Sequence, residues 1–172
     1  VVLATPNPTG AAGTQLLPDS QMDRFSIRMS LGYPNKEDEA KMVISRQGKK
    51  PMEELETLLD ADALAKLQET VSNTYIGELV INYVVALIDA TRKDPQILRG
   101  ASPRATLAVT SMAKAVAQLR GRDYVTPKDV QEVFLRTIAH RLLLNPKAEA
   151  AGVTAYQVLG EILERVPAPK TI

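Results

Sequence analysis

From Thr74 onward, apolar residues recur at helical spacing with few interruptions. Ile76, Leu79, Val80, Tyr83, Val84, Leu87 and Ile88 fall at i, i+3, i+4, i+7, i+8, i+11 and i+12, which is one face of a helix. Ser102-Pro103 opens a second helix, with Ser in the N-cap position and Pro at the first helical position. Its apolar residues Leu107, Met112, Ala113, Val116 and Leu119 run to a stop at Gly121, a residue suited to a helix C-cap. Thr126-Pro127-Lys128-Asp129 repeats the start signal, with Asp129 placed as a capping-box partner. Val130, Val133, Phe134 and Ile138 form the apolar face that follows. A last helix is expected over about Thr154 to Arg165, with Val158, Leu159, Ile162, Leu163 and Val166 before Pro167 and Pro169 end it. Alanine-rich faces and few aromatic residues suit closely packed helices, so an antiparallel helical bundle is expected here.

The pattern changes toward the N-terminus. Residues 35–73 read as two or three helical pieces. Asn35 is a plausible N-cap, and Glu37, Asp38 and Glu39 complement the helix dipole in the first turn. The stretch from Arg46 to Pro51 interrupts the periodicity. Asp60 or Asp62 can then cap a helix carrying Leu64, Leu67 and Val71. In residues 1–34 the spacing shortens. Val1–Thr5 is apolar and β-branched, as expected of a buried strand. A Pro/Gly/Thr loop and a polar turn from Pro18 to Phe25 follow. Phe25, Ile27, Met29 and Leu31 then alternate with Ser26, Arg28 and Ser30, the period of a half-buried strand, until Gly32-Tyr33-Pro34. A buried strand needs neighbours, so the chain reads as a fragment of a larger protein.

Composition narrows the chemistry. With 21 Lys+Arg against 20 Asp+Glu the net charge is +1, which argues against a nucleic-acid binder working by bulk electrostatics. Zero Cys and a single His leave no thiolate site, no cysteine nucleophile and no His-based metal site. The glycines build neither a G-x-x-x-x-G-K-[ST] phosphate loop nor a G-x-G-x-x-G turn. No apolar stretch reaches membrane-spanning length, and a cytoplasmic protein is the expectation.

Three polar residues stand out, each with an ordinary alternative. Arg104 sits near a helix start, where exposed N–H groups already supply positive charge, an arrangement relieved by a bound anion. It can equally be a solvated surface Arg. Arg24, in Asp23-Arg24-Phe25, can form a local ion pair in a turn or project its charge toward a neighbouring molecule. Asn7, between Pro6 and Pro8, follows the first apolar run, where ligands of open α/β sheets bind, or it is simply a turn residue. His140 suits a structural polar contact, Gly121-Arg122-Asp123 an interhelical turn, and Lys49-Lys50 a solvated loop.

These residues lie inside longer strings. Ala4-Thr5-Pro6-Asn7-Pro8, Gly13-Thr14, Leu17-Pro18-Asp19-Ser20-Gln21-Met22-Asp23-Arg24-Phe25 and Gly32-Tyr33-Pro34 resemble the MoxR family of AAA+ ATPases. So do Ala90-Thr91-Arg92, Gly100-Ala101-Ser102-Pro103-Arg104-Ala105, the string from Gly121 to Val130, and Ala139-His140-Arg141-Leu142. The resemblance covers essentially the whole chain. It implies a mainly α fold: a helical lid, residues 35–172, preceded by the terminal strands of a truncated α/β P-loop ATPase core, residues 1–34. It gives Asn7 the role of sensor 1, Arg24 that of the arginine finger offered to the next subunit, and Arg104 that of sensor 2. Pro103 and Tyr33 join Arg104 beside the nucleotide. The family usually has Gln where Pro6 stands, an acidic stretch at Gly10-Ala11-Ala12 and an aromatic residue at Gln15.

The resemblance further implies that the full-length protein uses ATP and Mg²⁺ and assembles with copies of itself into a ring, read as a hexamer. It would remodel or mature a client protein in a chaperone-like way. No nucleic acid and no membrane span are implied. The phosphate loop (Walker A) and the Mg²⁺-holding acidic strand (Walker B) of the family are absent from this sequence, so the chain alone is expected to be inactive and to bind no nucleotide tightly. The alternative from another class is a non-enzymatic helical protein-interaction module whose arginines are surface charges.

Overall fold

The computed structural model describes residues 2–5, 17–47 and 55–170, and they are mainly helical. The elements are α1 (Asp19–Met22), α2 (Lys36–Ser45), α3 (Ala61–Asn73), α4 (Glu78–Lys93), β1 (Ile97–Arg99), α5 (Pro103–Leu119), α6 (Pro127–Ile138), a 3₁₀ turn (Ala139–Arg141), β2 (Leu143–Leu144), α7 (Pro146–Ala150) and α8 (Ala155–Arg165). Helix starts follow the local capping chemistry. Asn35 accepts from the Asp38 N–H at 2.8 Å, and Asp60 from the Ala63 N–H at 2.7 Å. Thr154 and Asn145 do the same for α8 and α7. Gly121, at φ +67°, ends α5 in the left-handed conformation that glycine adopts without steric cost.

Two compact units emerge. One joins the segment up to Arg28 to the segment from Val71 onward, and the other is Met29–Thr70. In the second unit α2 is capped by Asn35 and carries an Asp38–Lys41 ion pair, while Met42, Val43, Ile44, Leu64 and Leu67 are exposed. The core belongs to the first unit. It contains Val80, Val84, Leu87 and Ile88 of α4, Val130, Val133, Phe134 and Ile138 of α6, and Val158, Leu159 and Ile162 of α8.

On α5 the burial differs from the apolar pattern. Leu107 and Leu119 are 72% and 87% exposed, whereas Ala105, Val109, Ala113 and Ala117 are buried. Small side chains let α5 lie close against α4 and α6, and the large leucines of the opposite face remain in solvent.

The expected strands also differ. Neither Val2–Thr5 nor Phe25–Leu31 joins a strand ladder among the described residues, and Val2, Leu3, Met29 and Leu31 are exposed. No strand among the described residues pairs with them, so they complete no ladder there. The one sheet assigned among the described residues is β1 against β2, antiparallel, with Ile97 opposite Leu144 and Arg99 opposite Leu143 across an irregular register. No described helix is long and apolar enough to cross a membrane.

A dense polar joint closes the α5–α6 turn. The Arg122 guanidinium donates to both carboxylate oxygens of fully buried Asp129, at 2.9 and 2.6 Å. The Thr126 N–H and hydroxyl both donate to Asp129 Oδ2 at 2.8 Å. A second joint fixes the approach to α5. The Thr91 hydroxyl accepts from the Ala101 N–H at 3.0 Å, and Arg92 Nε donates to the Ala101 carbonyl at 2.9 Å.

Gly100 passes so near α4 that a Cβ there would lie 2.7 Å from Arg92 Cα, 2.8 Å from Arg92 N and 2.8 Å from the Thr91 carbonyl oxygen. Those atoms are backbone and cannot rotate away. Gly100→Ala is therefore expected to cost about 1–3 kcal/mol of stability, read as a lowered midpoint in thermal or urea unfolding. An unchanged midpoint would show that the α4–α5 approach is looser than described.

Candidate functional site

The turn after α1 and the start of α5 meet at one carboxylate. Asp23, three-quarters buried, lies at the C-cap of α1, where its N–H donates to the Asp19 carbonyl at 2.9 Å. Its side chain is shared by three others. Arg141 Nη1 donates to Oδ1 at 2.9 Å, the Ser102 hydroxyl lies 3.3 and 3.2 Å from the two oxygens, and Arg104 Nη1 stands 3.6 Å from Oδ2.

Arg141 is the buried member, its side chain only 2% exposed. Beyond Asp23, its Nε donates to the Thr137 carbonyl at 2.9 Å and its Nη2 to the Phe25 carbonyl at 2.7 Å. Burial lowers its pKa, Asp23 opposes that, and the charge of Arg104 adds to it. The group remains a cation, because a guanidinium does not deprotonate in proteins. Residues 18–28 are thus tied to the end of α6 through Asp23, Phe25 and Arg28, whose N–H donates to the Arg136 carbonyl at 3.0 Å. Arg99 adds an outer tie to Asp19 at 2.7 Å.

Ser102 stands at the N-cap of α5 as its sequence position predicts, but its hydroxyl donates to Asp23 and does not cap the helix. Pro103 at the first position has no N–H to offer, and the first turn of α5 has no acidic residue. The helix end therefore keeps its positive character. Arg104 projects from it with 54% of its side chain exposed.

The local Asp23–Arg24 pair, one of the two readings of Arg24 from sequence, is not formed, since Asp23 turns toward Arg141, Ser102 and Arg104. Arg24 is exposed and its guanidinium has no acceptor among the described residues. One carboxylate thus serves two guanidinium groups, with a third close by in sequence, and the locale carries net positive charge. Asn7 lies outside the described residues. Tyr33 is fully exposed in the Met29–Thr70 unit. Among the described residues no cluster of three or more His, Asp or Glu could hold a metal ion. The structure brings Arg104 to Asp23, the residue before Arg24 in the chain, and among the described residues no contact joins the Arg24 side chain to Arg104. Sequence reading missed Asp23 and Arg141, because a pair separated by 118 positions leaves no local signal. Their places inside Asp23-Arg24-Phe25 and Ala139-His140-Arg141-Leu142 were the one available hint.

His140 takes the structural contact expected of it. Its Nε2–H donates to the Phe25 carbonyl at 3.0 Å, and its buried Nδ1 has no partner among the described residues. Burial pushes its pKa down, the Phe25 bond partly opposes this, and the charges of Arg141 and Arg28 push it further down. Below about pH 6.5 the unfolded chain takes up a proton that the folded chain still refuses, so acidification favours unfolding until the depressed folded value is reached. Urea midpoints are expected to fall as pH drops from about 7.5 through this range. His140→Gln, which can donate the same bond without titrating, should show a smaller fall, and an equal fall in both would place the titration elsewhere.

The chain that carries this site has known relatives. Residues 89–162 match the family described as AAA lid domain. Chaperone MoxR1 of Mycobacterium tuberculosis is 37% identical over 179 aligned residues, covering 99% of this chain and 47% of that protein. YeaC of Bacillus subtilis is 34% identical, covering 98% and 52%. A crystal structure of a protein assigned as an ATPase, from Cytophaga hutchinsonii, superposes with a TM-score of 0.86 at 31% identity, covering 95% of this chain and 52% of its own. The fold is the helical lid region of an AAA+ ATPase. More narrowly, the chain belongs to the MoxR family, matching its C-terminal portion, and it spans about half the length of the curated relatives it matches.

Proposed function

We propose that this chain supplies the nucleotide-sensing lid and the intersubunit arginine of a MoxR-type AAA+ ATPase. The full-length protein couples ATP binding and hydrolysis, with Mg²⁺, to chaperone-like remodelling or maturation of a client. Arg104 acts as sensor 2 toward its own subunit's nucleotide, with Pro103 and Tyr33 beside it. Arg24 acts as the arginine finger toward a neighbour in a ring, and Asn7 as sensor 1. Residues 1–34 form the end of the ATPase core and residues 35–172 the lid, in a cytoplasmic, hexameric assembly.

The observation that carries this reading is the surplus of cation at the Asp23 cluster. Arg104 stands at an uncapped helix start with its one ion-pair partner at 3.6 Å, and Arg24 has no acceptor among the described residues. Arg104 in this setting fits the phosphate oxygens of its own subunit's nucleotide, and Arg24, with its guanidinium unengaged, is available to stabilise charge developing on a neighbour's transferring phosphoryl group. Neither arginine holds Mg²⁺, which takes oxygen ligands that no described cluster provides.

The test is Mg²⁺-ATP binding and hydrolysis by the full-length protein beside the present chain. Binding and turnover by the first, with binding by the second no tighter than high micromolar, support the reading. A full-length Arg104→Ala protein with unchanged nucleotide affinity and unchanged hydrolysis would leave these arginines as surface charges of an interaction module.

A further inference from the structure

Arg141 cannot leave Asp23 without abandoning a buried position with three hydrogen bonds, on Thr137, Phe25 and Asp23 itself. Ser102 is at hydrogen-bond distance from both carboxylate oxygens. Arg104 is the loose member: it lies beyond hydrogen-bond distance, at 3.6 Å, on a half-exposed side chain. An incoming phosphate carries more charge than one carboxylate and meets the uncapped end of α5 as well.

We propose that Asp23 is a positioning residue that occupies Arg104 in place of phosphate, and that bound nucleotide takes Arg104 from it. The exchange removes one of the three side chains that fix Asp23, in the turn whose next residue is Arg24. Occupancy of a subunit's own site thereby alters the presentation of its finger to the neighbour. This inference rests on the assignment of Arg104 to nucleotide made above. It adds the carboxylate that competes for that arginine and the link from Arg104 to Arg24.

The experiment measures binding of a non-hydrolysable ATP analogue with Mg²⁺ to the full-length protein and to its Asp23→Asn, Arg104→Ala and double variants. Asn keeps the shape of Asp and an oxygen for Ser102 and Arg141, and loses the charge that competes with phosphate. Asp23→Asn should tighten binding about two- to fivefold, the scale of a partly exposed ion pair. It should also lower kcat, because the turn bearing Arg24 is held less firmly. In the Arg104→Ala background the tightening should vanish, which identifies Arg104 as the residue released. A generally damaged fold would weaken binding and could not produce tighter binding with slower turnover.

A second measurement does not depend on Asp23→Asn folding. Below the assembly concentration, the analogue should speed hydrogen exchange of amides 19–25 in the parent protein and leave it unchanged in Arg104→Ala. If Arg104→Ala weakens binding but Asp23→Asn does not tighten it, or if exchange in 19–25 does not respond, the exchange mechanism is wrong while the sensor assignment stands. If Arg104→Ala leaves affinity unchanged, the sensor assignment fails and the exchange with it.

Discussion

Replacing Arg24 by Ala in the full-length ring is expected to slow ATP hydrolysis by about 10³–10⁵-fold, the range by which an arginine finger accelerates phosphoryl transfer. The structure places no described acceptor on this guanidinium, while its neighbour Asp23 is engaged three times over. Removing the side chain should therefore take away charge at the reaction and leave the fold intact. Arg104→Ala should cost less, about 10²–10³-fold, the usual loss for one fixed electrostatic donor at a developing charge. Subunit mixing separates the two roles. An Arg24→Ala subunit keeps its own nucleotide site and should regain activity beside a subunit that lacks its phosphate-loop Lys but lends a finger. An Arg104→Ala subunit has a defective site that no neighbour repairs, so its mixtures should stay near background. The reverse outcome would exchange the two assignments, and full activity of both homogeneous variants would remove them.

The second large effect is on stability. Asp129→Ala is expected to destabilise the protein by about 2–4 kcal/mol, since it leaves the half-buried Arg122 guanidinium unpaired and strips the start of α6 of its acceptor. At this chain length that corresponds to a fall of about 5–15 °C in Tm. Asp129→Asn should cost less, because an amide oxygen can still accept from Thr126. Burial pushes the Asp129 carboxyl up, and the Arg122 guanidinium with the Thr126 N–H and hydroxyl outweigh it, so its pKa lies below the ordinary carboxylate value. The carboxylate's contribution is thus complete at neutral pH and is lost only as pH falls below about 4 and on through that depressed value. The gap in Tm between the parent and Asp129→Asn should persist at pH 5 and narrow in stronger acid. A gap already closed at pH 5 would mean that the pair is not formed in solution.

What sequence made legible here was what acts over three or four residues. Asn35, Asp60, Thr126-Pro127 and Gly121 each punctuate a helix because their side chains or φ preferences act on adjacent backbone. The buried faces of α6 and α8 followed from large apolar residues at helical spacing. The face of α5 did not, because burial there selects small volume, and alanine scarcely registers in an apolar period. β1 and β2 are too short, at three and two residues, to show alternation. Phe25–Leu31 shows how alternation alone predicts a strand that has no ladder without a neighbour. At the site, Arg24 and Arg104 could be singled out by the company they keep in sequence. Their common counter-charge could not, because Asp23, Ser102 and Arg141 meet only once the chain has folded.

The alanine stripe of α5 has a mechanical meaning. Leucine or methionine at a helix contact can change rotamer and absorb a shift of its neighbour, but alanine has no χ angle to change. Ala105, Ala113 and Ala117 therefore transmit displacement where longer side chains would damp it. Seventeen residues of helix extend about 25 Å. A tilt started at Arg104 would thus reach the Arg122–Asp129 joint at the far end with little slack, and α5 would work as a stiff lever with Arg104 as its handle.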